Sequence, residues 1–194
     1  MAIAPPSQSA TLLTYEDYLA EGEICKRYDI LDGVRSYMTN PTRRHQSLVG
    51  NLHLGFHAYQ RKARNGRVIL SPCDVLIMRT PLRTRQPDIL YISKARLVQN
   101  PPEDDPAPLE PAPELVVEIL SQNENRRERA NKIADYQKAG VLECWVVDQD
   151  RQSVEVLALM PQRIDNVFLY GPGDMVQSVV FPGLKVSVAQ IFAE

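Results

Sequence analysis

One stretch of the sequence, residues 113–121, constrains the fold more than any other. It reads Pro-Glu-Leu-Val-Val-Glu-Ile-Leu-Ser, and its apolar residues make the nearly continuous run that is typical of a strand buried on both faces of a sheet. Glu118 interrupts this run. A carboxylate in such a strand is costly unless a metal ion or a fixed lysine or arginine holds it. The stretch therefore predicts a central strand that carries a functional or ion-paired acid.

Two other segments offer partners for Glu118. Asp88 stands at the start of a second apolar strand, and Lys132 lies on a predicted helix downstream. Carboxylates suit Mg²⁺, the carbonyl of Ile119 can add a neutral ligand, and a lysine can stabilise developing negative charge or position the attacking water. The set indicates metal-assisted phosphodiester hydrolysis. The alternative is structural: a strand-end acid, a buried ion pair and a solvated lysine.

The order of the predicted elements indicates the fold class. The sequence patterns predict helices at 14–21, 42–63, 123–138 and 188–192, a hairpin at 27–38, and strands within 68–78, 86–92, 115–120, 143–148, 154–159, 164–170 and 175–180. This order predicts a mixed α/β protein with a central mixed β-sheet flanked by helices. Residues 1–12 are expected to form a loose tail and residues 13–194 one domain. The proline-rich segment 93–113 is expected to lie outside the core.

Composition and charge narrow the class of protein. A net charge of −2 excludes a generic nucleic-acid binder. The basic residues are unevenly distributed, because 19 of the 22 Lys and Arg lie between Lys26 and Lys138. This distribution would suit either one basic face or ordinary solvated surface. The N-terminus lacks the features of a signal peptide, and no apolar run approaches the roughly 20 residues of a membrane helix. The three cysteines are widely spaced and form no CxxC pair, so we expect reduced, mostly buried thiols and a cytoplasmic protein.

A set of motifs spread over residues 14–192 resembles one known family. The motifs are Tyr-Asp-Ile-Leu-Asp-Gly at 28–33, Pro41 with His45, Gln-Pro-Asp-Ile at 86–89, the stretch 113–121, Lys132 with Tyr136, residues 140–148, and Phe-Pro-Gly-Leu at 181–184. Together they resemble the Uma-two endonuclease family of the PD-(D/E)XK nuclease superfamily. The resemblance implies a restriction-endonuclease-like core, a DNA substrate, and Mg²⁺, or Mn²⁺ in its place, bound by Asp88 and Glu118. The superfamily often has lysine where Leu120 stands, so the resemblance implies that Lys132 takes that role.

The sequence departs from the family pattern at three positions. The family usually has glutamate at the positions of Asp29 and Val34, and aspartate at the position of Glu128. Asp29 would be an accessory third ligand, and its side chain is one methylene shorter than that of glutamate. None of the departures removes Asp88, Glu118 or Lys132.

Other polar residues have a functional interpretation and an ordinary one. His45 lies near a predicted helix start, where a substrate phosphate could approach, but it could equally be a surface or capping histidine. Arg126, Arg127 and Arg129 could contact backbone phosphates or simply face solvent. His53 and His57 have the i, i+4 spacing of helical zinc ligands, but no third ligand is evident, so we expect surface histidines.

These observations predict a Mg²⁺-dependent endodeoxyribonuclease. The main alternative is a catalytically inactive nuclease fold that binds nucleic acid or a protein partner, which the departures at Asp29 and Val34 favour. A hydrolase of a smaller phosphodiester is a third possibility. We also expect a homodimer, because residues 154–192 are rich in apolar residues and poor in charge. An exposed edge strand in this region would pair with the same strand of a second copy.

Overall fold

The computed structural model describes residues 12–121, 124–161 and 163–193. Its five helices in these residues are α1 (Tyr15–Glu21), α2 (Arg43–Ala63), α3 (Lys94–Leu97), α4 (Arg126–Ala139) and α5 (Val188–Ile191). The strands are β1 (Tyr28–Leu31), β2 (Val34–Tyr37), β3 (Gly66–Leu70), β4 (Val75–Met78), β5 (Arg83–Arg85), β6 (Ile89–Ser93), β7 (Leu115–Ile119), β8 (Glu143–Asp148), β9 (Ser153–Met160), β10 (Arg163–Tyr170), β11 (Met175–Gln177) and β12 (Lys185–Ser187). The predicted mixed α/β class is confirmed.

A six-stranded mixed sheet forms the centre, in the order β10-β9-β8-β7-β6-β3. The pair β7–β8 is parallel and the other neighbours are antiparallel. Every residue of β7 is buried, as the apolar run at 115–119 predicts. Because side chains alternate along a strand, the two faces of this sheet have separate cores. Leu48, Leu52 and Phe56 of α2 pack on one face, and Tyr136 of α4 packs on the other.

A second, antiparallel sheet has the order β2-β1-β5-β4 and positions the N-terminal part of the site. Its β1–β2 hairpin turns at Asp32-Gly33, where both residues have positive φ, as the Asp-Gly signal predicts. Helix α1 packs on this sheet through Tyr18. The helix begins with the predicted cap: Asp17 N donates to Thr14 Oγ1, and Thr14 N donates back to Asp17 Oδ2. The short strands β11 and β12 pair separately.

Some short elements differ from the sequence prediction. Strand β5 and helix α3 are too short for a periodic signal, and β12 follows a turn where no strand was predicted. Strand β11 ends at Gln177 instead of continuing to Val180, because the buried Glu143 binds the backbone there: Val179 N and Val180 N each donate to Glu143 Oε2 at 2.9 Å. The predicted helix start at Asn123 lies outside the described residues; α4 begins at Arg126, after a capping box of Asn125 and Glu128.

Two expectations about burial are partly wrong. The proline-rich segment was expected to stay outside the core, but Ala112 is buried and Leu109 forms a parallel bridge with Val75. The cysteines are free, as expected, but Cys25 is exposed while Cys144 is buried. Of the predicted N-terminal tail, residues 1–11 lie outside the described part of the chain. None of the described helices is long and apolar enough to span a membrane.

Candidate active site

Asp88 and Glu118 meet at one end of the central sheet. Strands β6 and β7 pair with Ile89 opposite Val117, so Asp88, which immediately precedes β6, lies beside Glu118. The backbone N–H of Ile119 donates to Asp88 Oδ2 at 2.8 Å and fixes this carboxylate. Both acids are buried, with 2% of Asp88 and 7% of Glu118 exposed. The strands that carry the two acids are therefore neighbours in the sheet.

Helix α4 brings two donors to Glu118, the ammonium group of Lys132 and the hydroxyl group of Tyr136. Lys132 Nζ lies 3.2 Å from Glu118 Oε2 and 2.9 Å from Glu124 Oε1, and Tyr136 Oη donates to Glu118 Oε1. Lys132 and Tyr136 are one helical turn apart, so both side chains project from the face of α4 that packs on the sheet. The cation that the buried Glu118 requires is thus Lys132, from the helix and not from the strand itself.

The Asp88 side of the site is completed by Arg27 and His45. Arg27 Nη1 lies 2.9 Å and His45 Nε2 lies 3.3 Å from Asp88 Oδ1. Helix α2 positions His45 in its first turn, where Thr42 Oγ1 accepts the His45 backbone N–H at 3.1 Å. Neither side chain is aligned for a hydrogen bond to Oδ1, so within the described residues Asp88 Oδ1 is a buried acceptor without a hydrogen-bond donor. His45 Nδ1 and Arg27 Nε are likewise buried without a partner in that part of the chain.

The charges of the site are strongly coupled. Burial, together with the neighbouring Glu118, raises the pKa of Asp88 to about 6. Glu118 and Glu124 raise the pKa of Lys132 above its ordinary value, so the ammonium stays charged at neutral pH. Burial and the nearby Arg27 lower the pKa of His45, which favours a neutral imidazole. The centre therefore holds two adjacent acids and two cations, Arg27 beside Asp88 and Lys132 beside Glu118.

This pKa shift predicts a pH dependence of stability in the metal-free protein. Because the folded-state pKa of Asp88 lies near 6 and that of an unfolded aspartate near 3.9, folding favours its protonated form. The contribution is fully present below about pH 4 and is lost as the pH rises through about 6. We expect the difference in free energy of unfolding between wild type and Asp88→Asn to change by on the order of 2 kcal/mol across this range, measured by urea denaturation. A constant difference would contradict the shift.

Asp29, the predicted accessory ligand, is buried but already engaged. Its Oδ2 lies 2.6 Å from Arg85 Nη1, and its Oδ1 accepts the backbone N–H of Gln86 at 3.2 Å. Arg85 also binds Asp135 of α4, whose carboxylate binds Arg83 as well. Asp29 therefore belongs to an ion-pair network that ties the second sheet to α4, and any ligand role for it stays a prediction.

The predicted nucleic-acid contacts on α4 divide into two groups. Arg126 and Arg127 are exposed, whereas Arg129 forms an ion pair with Glu155. Their role in phosphate binding stays a prediction. His53 and His57 lie side by side on α2 with ring centroids 5.6 Å apart.

The donors at the centre fit a hard divalent cation. Asp88 and Glu118 offer only oxygen, and the buried Asp88 Oδ1 makes no hydrogen bond within the described residues, although it faces Arg27 and His45. Within residues 12–121, 124–161 and 163–193, no three His, Cys, Asp or Glu side chains form a group that could hold a metal ion. Mg²⁺ is bound by one or two carboxylates together with water and substrate oxygens, so a two-carboxylate site suits it better than it suits a structural metal.

Four residues of the site were not assigned a role from the sequence, and one of them, Tyr136, was noted only as part of a family motif. Arg27 has no local signal, because its contact with Asp88 depends on the packing of the two sheets. Glu124 lies just before α4 in a run of polar residues, so nothing in the pattern distinguishes it from its neighbours. Arg85 could have been found: Arg83 and Arg85 alternate in a strand, which places both guanidinium groups on one face.

The fold and the site define a nuclease-like protein. The solved structures include a putative nuclease belonging to DUF820 from Anabaena variabilis, which is similar to this chain with a TM-score of 0.72 and 20% sequence identity, over 93% of this chain and 97% of that one. The model of the Uma2 family, described as a putative restriction endonuclease, matches residues 15–189. The chain therefore belongs to the Uma2 family. The comparison with curated protein sequences gives no significant match.

Proposed function

We propose that the protein is a metal-dependent endonuclease that hydrolyses DNA phosphodiester bonds. One observation carries the proposal most directly. Two buried carboxylates, Asp88 and Glu118, adjoin each other at the end of the sheet, and the Asp88 Oδ1 atom lacks an aligned donor among the described residues. Arg27 and Lys132 each form an ion pair with one of these acids, but the repulsion between the two carboxylates remains, and a bound cation would offset it. Membership of the Uma2 family supports the same class of activity.

The donor chemistry supports Mg²⁺, with Mn²⁺ as a substitute. Asp88 and Glu118 would hold the ion, and the Ile119 carbonyl would add a neutral ligand. Oxygen donors favour Mg²⁺ or Mn²⁺ over Zn²⁺, which prefers imidazole and thiolate ligands. When bound, the ion would neutralise charge on the phosphate and lower the pKa of a bound water.

The chain's own residues have distinct roles in this proposal. Lys132 is the charged group that stabilises negative charge on the phosphate, since its raised pKa makes it unsuitable as a general base at neutral pH. Tyr136 orients Glu118 by donating to Oε1 and leaves the other lone pairs of the carboxylate available. Arg27 and His45 hold the outer side of Asp88, where the phosphate would enter.

A cleavage assay tests the proposal. Purified protein is incubated with supercoiled, linear and single-stranded DNA in the presence of Mg²⁺ or Mn²⁺, with Asp88→Asn as the inactive control. We expect metal-dependent nicking or cutting that the variant lacks. If wild type cuts none of these substrates but still binds DNA, the nuclease-fold binder becomes the better account.

We further propose that the protein forms a homodimer through the edge strand β10. This strand ends the six-stranded sheet, and Ile164, Val167, Phe168 and Leu169 are all exposed on it. An exposed edge strand has backbone N–H and C=O groups that can pair with the same strand of a second copy. A two-fold axis between the copies would make the two β10 strands antiparallel.

Light scattering at micromolar concentration should therefore give a dimer mass. Replacing Leu169, which is 67% exposed, with lysine should give a monomer. The matched control is Leu54→Lys on α2, where the side chain is 66% exposed, and it should leave the dimer intact. A monomer mass for wild type would contradict the proposal.

A further inference from the structure

Positive charge is concentrated in one segment of the chain. Residues 33–73 contain no Asp or Glu, although the whole chain has a net charge of −2. The same segment holds all three histidines and seven Lys or Arg residues, and α2 makes up its centre. An acid-free stretch of this kind gives the surface of α2 a positive electrostatic potential, although the chain as a whole has a small negative charge.

The charge on α2 lies at its two ends. Arg43 is exposed in the first turn, beside the His45 that contacts Asp88. At the other end, Arg61, Lys62 and Arg64 are exposed. Within the described part of the chain, none of these four cations forms a salt bridge, whereas Arg44 pairs with Asp150.

A pocket of about 500 Å³ opens at the far end of α2. Arg61, Arg64, Arg67 and Lys94 line it, and the backbone of Gly66 belongs to its wall. Basic residues are common at the C-terminal end of a helix, where they interact favourably with its dipole. The four cations here come from α2, β3 and α3, so this effect at the end of α2 does not explain all of them. Only Arg67 is paired among the described residues, with the exposed Glu103. A phosphate group would find several donors here and little competition.

The distance between the two basic ends matches a length of duplex DNA. Arg64 is 19 residues after His45, which at about 1.5 Å per residue is ~28 Å along the helix. B-DNA rises about 3.4 Å per base pair, so this distance corresponds to roughly eight base pairs. The exposed positions of α2 carry no Phe, Tyr or Trp, so the face lacks the stacking surface that single strands use.

We propose that the exposed face of α2 is the docking surface for duplex DNA, with a backbone phosphate held in the pocket of Arg61, Arg64, Arg67 and Lys94 about eight base pairs from the Asp88–Glu118 centre. The inference rests on the proposed function for the identity of the substrate. It places the main phosphate contacts on the opposite face of the central sheet from α4, and so away from Arg126 and Arg127.

The test is a measurement of duplex binding without catalysis. Fluorescence anisotropy in metal-free buffer compares wild type with Arg61→Gln/Arg64→Gln on a labelled duplex of about 24 base pairs, three times the proposed spacing, between about 50 and 200 mM salt. The control, Lys138→Gln/Arg79→Gln, removes the same charge from the last turn of α4 and from the residue that follows β4, the strand that packs against α4.

We expect the α2 variant to bind at least about tenfold more weakly at the lowest salt, with the slope of log K against log salt smaller by about 1.8, or 0.9 for each lost phosphate contact. The control should keep the wild-type slope. Equal slopes for wild type and the α2 variant, an equal loss in the control, or tighter binding of single strands than of duplex would each overturn the inference. Cleavage is scored separately, so an inactive protein that shows the expected slopes would refute the nuclease proposal and leave the docking surface standing.

Discussion

The Lys132→Met variant should cleave DNA about 30 to 1,000 times more slowly than wild type, a loss of about 2 to 4 kcal/mol of transition-state stabilisation. Methionine keeps most of the length of the lysine stem and removes its charge. Lys132 supplies the permanent cation that contacts Glu118, at 3.2 Å, and its charge would act on the phosphate in the transition state. The measurement is the single-turnover rate at saturating Mg²⁺.

The matched control is Lys138→Met, in the last turn of the same helix. Lys138 is exposed, and its described polar contact is with the sulfur of Met78 and not with an acid of the site. This variant should cleave at nearly the wild-type rate. If Lys132→Met cleaved as fast as Lys138→Met, the assigned role of Lys132 would be wrong, even though its contact with Glu118 would remain.

The Arg85→Met variant should lose about 3 to 5 kcal/mol of unfolding free energy. Arg85 is 5% exposed and forms ion pairs with Asp29 and Asp135, each at 2.6 Å. Methionine would leave the buried Asp29 without its cation and Asp135 with Arg83 alone, which costs far more than the loss of a surface pair. Urea denaturation at neutral pH measures the change as a lower midpoint with an unchanged slope.

The control for Arg85 is Arg79→Met. Arg79 pairs with Glu110, but both side chains are about half exposed, so the variant should lose much less unfolding free energy than Arg85→Met. The loss in Arg85→Met should also shrink toward acidic pH, because burial raises the pKa of Asp29 and its protonation removes the unpaired charge. Similar losses in the two variants would show that the buried network is not a special source of stability.

The central strand and its acid could be predicted from the sequence because they depend on local pattern. The apolar run around Glu118 indicates burial on both faces, and burial of a carboxylate requires a cation. Lys132 on the following helix was the predicted cation, whereas the contact of Tyr136 with Glu118 was not predicted. The burial of the strand follows from a window of a few residues, whereas the role of Lys132 was implied by the family resemblance.

The partners of Asp88 and Asp29 could not be predicted in this way. Arg27 reaches Asp88, and Arg85 reaches both Asp29 and Asp135, only because the second sheet packs against the end of the first. Such contacts join residues about 50 to 60 positions apart, and no periodic pattern encodes them. The early end of β11 has a similar cause, since Glu143 reaches the backbone of Val179 and Val180 from another strand.

The claim at the centre of this account is that Asp88 and Glu118 form one metal site, and calorimetric titration with Mn²⁺ tests it most directly. The variants Asp88→Asn and Glu118→Gln each remove one negative oxygen donor and keep the side-chain size, and Asp104→Asn, an exposed acid in the proline-rich segment, is the matched control. Wild type and Asp104→Asn should bind Mn²⁺ alike, and the other two variants should show no binding. Undiminished binding in Asp88→Asn or Glu118→Gln would contradict the assignment and place the metal elsewhere.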